Sequence, residues 1–251
     1  MSLNAEFRRR LIAREPLLGA FVKTPHPIVV EIMGRSGFDF LVLDAEHAPF
    51  DRAAIDTMMI AGRAAGCPLL VRVPSSSPDW LLGVLDAGAA GVMVPHVVSP
   101  GQAAELARAM RYGAGGRGFA GTTRAAEYAG RSMREHLAMA GDEVSLICQI
   151  EDAEGADRFD EIAAVEGVDA LFVGRADLAV SCGRDDFFAP DIAARCAAIL
   201  GASGAATGLY CAPGETLAPL REAGASLFVV GSDHTLMAGG AGQLRKAFEQ
   251  L

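Results

Sequence analysis

Apolar residues fall in eight short runs, at 17–23, 38–46, 68–74, 91–97, 145–152, 168–177, 206–213 and 226–232. The runs are nearly continuous rather than strictly alternating, the pattern of strands buried on both faces of a parallel sheet. Between them lie segments of helical period, at 27–36, 52–65, 78–87, 100–110, 156–165, 191–201, 215–223 and 235–251. Prolines at 78, 100 and 190 stand at or near a first helical turn, and Gly37, Gly66, Gly88, Gly167 and Gly224 follow helical runs where a left-handed residue is wanted. Eight strand–helix units within 251 residues match the count and size of a (β/α)8 TIM barrel, here read as one domain over 1–251. An open doubly wound sheet is the competing arrangement. Residues 111–144 interrupt the rhythm with an insertion that opens Y-G-A-G-G-R-G-F-A-G-T-T-R, and glycine-dense loops of that length are usually functional or mobile.

Composition narrows the classes of function. Lys and Arg number 22 against 31 Asp and Glu, a formal charge of −9, which argues against a nucleic-acid partner. No apolar run approaches the roughly 18–20 residues of a membrane span, and the N-terminal M-S-L-N-A-E-F-R-R-R lacks the apolar centre of a secretory signal, so a cytoplasmic protein is expected. The cysteines at 67, 148, 182, 196 and 211 form no C-x-x-C pair and read as reduced, core-filling thiols.

In a barrel, chemistry belongs at the C-terminal ends of the strands. Glu151 and Asp177 close the fifth and sixth apolar runs; Gln149 shares a face with Glu151, inward if Cys148 and Ile150 face the helices. Two carboxylates without nearby Cys or paired His suit a hard cation such as Mg²⁺ or Mn²⁺, although a turn-capping Asp177 and a solvated Glu151 fit the spacing equally. Asp44, Glu46 and His47 form D-A-E-H directly after a buried strand, where a histidine oriented by Asp44 would serve as a general base and a plain loop histidine is the alternative. Arg72 lies inside L-L-V-R-V-P and needs an anionic partner, either a substrate or a neighbouring carboxylate. Only two lysines occur, Lys23 and Lys246, so Lys23 is the sole candidate for a Schiff base.

The runs L-V-L-D-A-E-H-A-P, L-V-R-V-P, L-D-A-G-A-A-G-V-M-V-P, G-R-G, Q-I-E and F-V-G-R-A-D-L, in this order from about Leu17 onward, resemble the HpcH/HpaI family of metal-dependent pyruvate aldolases. The resemblance implies a (β/α)8 barrel, a homohexamer whose paired subunits exchange a C-terminal helix, and a divalent cofactor (Mg²⁺ or Mn²⁺, with Co²⁺ a further candidate). Carried across residue by residue, it assigns Glu151 and Asp177 to the metal and Arg72 to the keto or enolate oxygen. His47 matches the general base, with Asp44 as its partner. Gln149 and the backbone around Gly174 and Ala176 match the pyruvate site, and Phe21 and Tyr210 shape the pyruvate and aldehyde pockets. Glu46 and Asp86 match groups outside the metal's own ligands. Two positions depart from the family pattern, Phe21 for a common tryptophan and Arg175 for a common proline, and both border the expected pocket.

The implied reaction is reversible cleavage of a 4-hydroxy-2-oxo acid to pyruvate and an aldehyde, with no nucleic acid or membrane as partner. A CoA-thioester lyase of the citrate-lyase β or malyl-CoA lyase type is the alternative among enzymes, set back by the lack of a basic cluster for CoA phosphates. A catalytically inactive oligomeric barrel is the alternative outside enzymes.

Overall fold

The computed structural model describes residues 1–250; residue 251, the last of the expected final helical run, lies outside the described residues. Eight strands, β1 (Leu17–Val22), β2 (Phe40–Asp44), β3 (Leu69–Arg72), β4 (Gly91–Val94), β5 (Ser145–Ile150), β6 (Ala170–Val173), β7 (Ala206–Cys211) and β8 (Leu227–Ser232), pair in parallel and in sequence order. The pairing of β1 with β8, Leu17 against Leu227 and Leu18 against Phe228, closes the ring. That closure decides for the barrel over the open sheet. No described helix is long and apolar enough to cross a membrane.

Each strand divides its side chains between two apolar cores. Phe40, Val42, Leu70, Met93, Ile147, Phe172, Leu227 and Val229 fill the barrel interior. Their neighbours Leu41, Leu43, Val71, Val92, Leu146, Cys148, Ile150, Leu171 and Val173 face the helices. Burial on both faces is why the strands read as continuous apolar runs. The five punctuating glycines all have positive φ, from +67° at Gly66 to +118° at Gly224. At Gly66 this left-handed residue ends a helix, and its N–H returns to the carbonyl of Gly62 or Arg63.

The helical layer is richer than the sequence pattern indicates. Expected helices appear as α2 (Pro27–Arg35), α3 (Arg52–Ala65), α4 (Pro78–Asp86), α5 (Pro100–Ala109), α10 (Pro190–Leu200), α11 (Ala218–Glu222) and α12 (Asp233–Phe248). The single run expected at 156–165 is instead two short helices, α7 (Ala153–Asp157) and α8 (Phe159–Ala163), broken at Arg158, whose φ of −124° is non-helical. The sixth strand stops at Val173 rather than continuing to residue 177, because α9 (Arg175–Ser181) begins directly after Gly174. The 111–144 insertion holds a 3-10 segment (Arg124–Ala129) and α6 (Met133–Ala140). Arg124 fastens it to the helical layer by gripping the Asp56 carboxylate and the Ala87 carbonyl, and within the insertion Arg131 pairs with Glu143.

An N-terminal helix, α1 (Leu3–Ile12), closes the end of the barrel where the strands begin. Phe7 and Leu11 enter the interior core, with the Phe7 ring 5.4 Å from that of Phe40. Arg8 and Arg10 bond Asp169 and Asp39, carboxylates that also accept the N–H groups of Leu146 and Leu18. The interior is therefore apolar and sealed at this end, leaving the opposite end for polar groups. Phe7→Ala is expected to cost about 3–5 kcal/mol by opening a cavity in that seal. Urea unfolding measures it, and a loss below about 1 kcal/mol would show that α1 is not part of the core.

Candidate active site

A cavity of about 460 Å³ opens at the C-terminal ends of the strands. Its floor is built by the inward residues of the last strand layer, Phe21, Asp44, Arg72, Gln149, Phe172 and Tyr210. The inward position of Gln149 agrees with Cys148 and Ile150 lying in the outer core. Gly174, Arg175, Ala176 and Asp177, at the start of α9, form one wall. Phe187, Phe188 and Glu215 stand on the rim.

Arg72 and Asp44 are register partners on β3 and β2. Nη2 and Nε of Arg72 lie 2.8 and 3.0 Å from Asp44 Oδ1, and Nε is 3.3 Å from Glu46 Oε2. The Phe21 ring packs against the guanidinium, 4.6 Å from its carbon. On the other side Lys23 Nζ lies 3.3 Å from Asp44 Oδ2. Burial alone would raise the Asp44 pKa; the charge of Arg72, the His47 N–H and Lys23 outweigh it and hold the carboxyl below 3.8, its ordinary value.

The D-A-E-H turn corrects one expectation. Asp44 accepts the backbone N–H of His47 at 3.1 Å and does not bond its ring. A carboxylate at the start of a tight turn caps the amide three residues on, which leaves the His47 side chain free to swing outward. That side chain is 56 % exposed, and its Nε2 lies 3.6 Å from Glu46 Oε2. Glu46, not Asp44, is the carboxylate beside the imidazole.

Glu151 follows β5 and is buried. The His96 N–H donates to its Oε1 at 3.0 Å and the Gln149 amide donates to its Oε2. His96, after β4, has φ +54°, a conformation unusual for a non-glycine residue, and its Nδ1 lies 2.9 Å from Asp152. Burial raises the Glu151 pKa, and the nearby Asp177 charge adds to the rise. Gly174, in the cavity wall, makes room for this carboxylate behind it, since a Cβ there would lie 2.5 Å from Glu151 Oε2. In the first turn of α9 the N–H groups of Arg175, Ala176 and Asp177 have no partner within the helix.

Among the described residues no three His, Cys, Asp or Glu side chains form a metal cage. The donors present nonetheless fit a hard divalent cation that keeps water and substrate oxygens. The charge of Asp177 is close enough to raise the Glu151 pKa, and the buried Gln149 Oε1, whose amide nitrogen bonds Glu151, has no partner.

Asp86 is not part of this chain's cavity. It ends α4, 3.9 Å from Arg117 of the insertion, and burial raises its pKa. The leucine-rich helix that carries it runs away from the strand ends, so proximity in sequence to β3 and β4 does not bring it to Glu151 or Asp177. His96 and Glu215 take positions that the sequence did not assign, and the pairing of Lys23 with Asp44 and of Arg175 with Glu215 was not expected either. A strand-end histidine at 96 and a strand-end lysine at 23 were the available signals; nothing in the sequence joined Arg175 to Glu215.

Residues 17–238 match the HpcH/HpaI aldolase/citrate lyase family. The chain belongs to the HpcH/HpaI aldolase/citrate lyase family. It is 35% identical over 239 residues to a hydroxypyruvate/pyruvate aldolase of Roseovarius nubinhibens, covering 92% of each chain. It is 30% identical over 254 residues to a 5-keto-4-deoxy-D-glucarate aldolase of Escherichia coli O6:H1, covering 98% of this chain and 97% of that one. The crystal structure of a family member from Burkholderia cenocepacia J2315 superposes with a TM-score of 0.90 at 35% identity, over 98% of this chain and 99% of the other.

Asp44→Asn is expected to destabilise the protein at pH 7 by about 3 kcal/mol, because it strips the buried Arg72 of its main counter-charge. The folded-state pKa of Asp44 lies below its unfolded value, so its contribution is complete above that value and disappears as pH falls through the folded pKa. Denaturant unfolding of both proteins from pH 7 downward checks this, and a constant difference down to the acid limb would contradict it.

Proposed function

We propose that the protein is a carbon–carbon lyase that reversibly cleaves 4-hydroxy-2-oxo acids into an aldehyde and pyruvate or hydroxypyruvate. The observation that carries the reading is the meeting of the Arg72–Asp44 pair with Asp177 around one cavity, with Glu151 bonded to the lining Gln149 and within electrostatic reach of Asp177. Its relatives' names, hydroxypyruvate/pyruvate aldolase and 5-keto-4-deoxy-D-glucarate aldolase, point the same way.

Glu151 and Asp177 would hold a divalent cation, with Mg²⁺ or Mn²⁺ favoured and Co²⁺ a further candidate. When bound, that ion supplies Lewis acidity to the oxygens of a 2-oxo acid. The chain's own groups account for the rest. The N–H groups of Ala176 and its two neighbours, without partners in the helix, receive the substrate carboxylate, and Gly174 leaves room for Glu151 and Gln149 beside them. Gln149 holds Glu151 in place with its amide N–H and turns its free oxygen to the site.

Arg72 donates to the oxygen that becomes negative when the carbon–carbon bond breaks. It is preorganised for this by Asp44, Glu46 and the Phe21 ring. His47, exposed and beside Glu46, carries the proton between the C4 hydroxyl and solvent. Phe21 and Tyr210, with ring centres 6.2 Å apart, form the apolar wall along the carbon chain. Lys23 is engaged by Asp44 in an ion pair, which favours this scheme over a Schiff base.

Glu151→Gln and Asp177→Asn should each reduce chelator-sensitive deuterium exchange at the pyruvate methyl to background while leaving thermal unfolding cooperative. Arg72→Ala should slow it by about 10²–10³, the scale of one lost oxyanion donor. Full exchange after exhaustive chelation would refute the metal role, and borohydride trapping of pyruvate on Lys23 would replace the scheme.

The reading extends to a homohexamer with an exchanged C-terminal helix. Asp233 is the one buried residue of α12, and Met237, Leu244 and Phe248 are 59, 75 and 64% exposed. An apolar stripe of that kind needs cover. Light scattering should give a hexamer, and Leu244→Asp with Phe248→Asp should dissociate it; a monomeric wild-type protein would refute the assembly.

A further inference from the structure

The rim of the cavity carries a feature that the reaction scheme does not use. Arg175 places Nη1 and Nη2 each 2.8 Å from the two oxygens of Glu215, a bidentate pair, and Nη2 also donates to the Tyr210 carbonyl at 2.8 Å. Glu215 in turn accepts the Ala212 N–H at 3.0 Å, so both partners are fixed by backbone as well as by each other. Next to them the rings of Phe187 and Phe188 pack at a tilt of 43° with centroids 4.4 Å apart and remain 41 and 62% exposed. The Arg175 guanidinium carbon lies 5.9 and 5.6 Å from the two ring centres. Pyruvate alone is small for a cavity of about 460 Å³, so the rim half is left for the second substrate.

The charge pattern restricts what that substrate is. Every side-chain cation facing the cavity is already matched: Arg72 by Asp44 and Glu46, Lys23 by Asp44, and Arg175 by Glu215. A second carboxylate on the aldehyde would leave water for a rim with no free cation, next to Glu215, and its desolvation would go uncompensated. An uncharged carbonyl compound meets no such cost, and a flat apolar body gains contact with the aromatic pair.

We propose that the Arg175–Glu215 pair and the tilted Phe187–Phe188 pair form an acceptor subsite selective for uncharged aldehydes with an apolar, preferably aromatic, body. This rests on the aldolase reading and adds the class of its second substrate. Glu215 acts as the negative determinant, because it cancels the one cation that could hold an anionic aldehyde there.

The test compares benzaldehyde with 4-carboxybenzaldehyde as acceptors for pyruvate, using the full-length metal-loaded protein, with deuterium exchange at the pyruvate methyl measured in parallel. In the wild type, kcat/KM for benzaldehyde should exceed that for 4-carboxybenzaldehyde by about tenfold or more, within the range expected for leaving one polar group unsatisfied. Glu215→Gln, which keeps the shape and uncovers the Arg175 charge, should narrow the ratio by improving the carboxylated substrate. Preference for 4-carboxybenzaldehyde, or exchange without turnover of either aldehyde, would overturn the subsite while leaving the aldolase reading intact. Absence of pyruvate exchange in the wild type would overturn the aldolase reading itself. An unfolded Glu215→Gln protein leaves the wild-type comparison decisive.

Discussion

A guanidinium enclosed at the end of a barrel strand must have its charge answered, and Arg72 has Asp44. The two sit opposite each other in the β2–β3 register, so the backbone pairing that builds the barrel also sets their ion pair. Neither residue would be tolerable there alone, since an unpaired buried charge is far costlier than a paired one. Lys23 and Glu46 extend the pair into a four-charge cluster whose formal charges cancel. Asp44 also caps the turn that follows, and the position of His47 therefore depends on the same carboxylate.

This cluster marks a change of character along the barrel axis. At the closed end, Phe7 and Leu11 of α1 complete an apolar filling that continues through Phe40, Leu70 and Ile147. One layer further on, the inward positions become Asp44, Arg72 and Gln149, with Glu151 just beyond. A polar layer can exist there because each member bonds a neighbour: Gln149 and the His96 N–H hold Glu151, as Arg72 holds Asp44. The left-handed backbone at His96 belongs to this arrangement, turning its N–H inward while its ring meets Asp152. The strain is supported by packed strands on either side.

The same economy of charge governs the rim. The paired Arg175 and Glu215 border the two exposed phenylalanines, so the outer cavity combines an apolar platform with a neutralised ionic edge. In the proposed scheme the inner half, near Arg72 and Ala176, takes the anionic oxo acid, and the outer half, near Phe187, takes an uncharged body. Both departures from the family pattern fall where these halves meet: Phe21 packs on Arg72, and Arg175 anchors Glu215.

The sequence determined much of this protein. Continuous apolar runs made strands buried on both faces, glycines with positive φ closed the helices, and the alternation along β5 set Gln149 inward, opposite to Cys148 and Ile150. These are local properties, set by steric and solvation preferences that neighbouring residues carry with them. It did not reveal α1, whose Phe7 and Leu11 acquire meaning only once an open barrel end exists to receive them. Nor did it show that Asp177 lies on a helix, that Asp44 bonds the His47 backbone instead of its ring, or that Asp86 points to Arg117. Those outcomes depend on which groups, distant along the chain, meet across a closed ring of strands. Only the closed barrel brings residues 23, 44 and 72, or 175 and 215, within bonding distance, because side-chain pairing is fixed by strand register and helix placement and not by spacing in sequence.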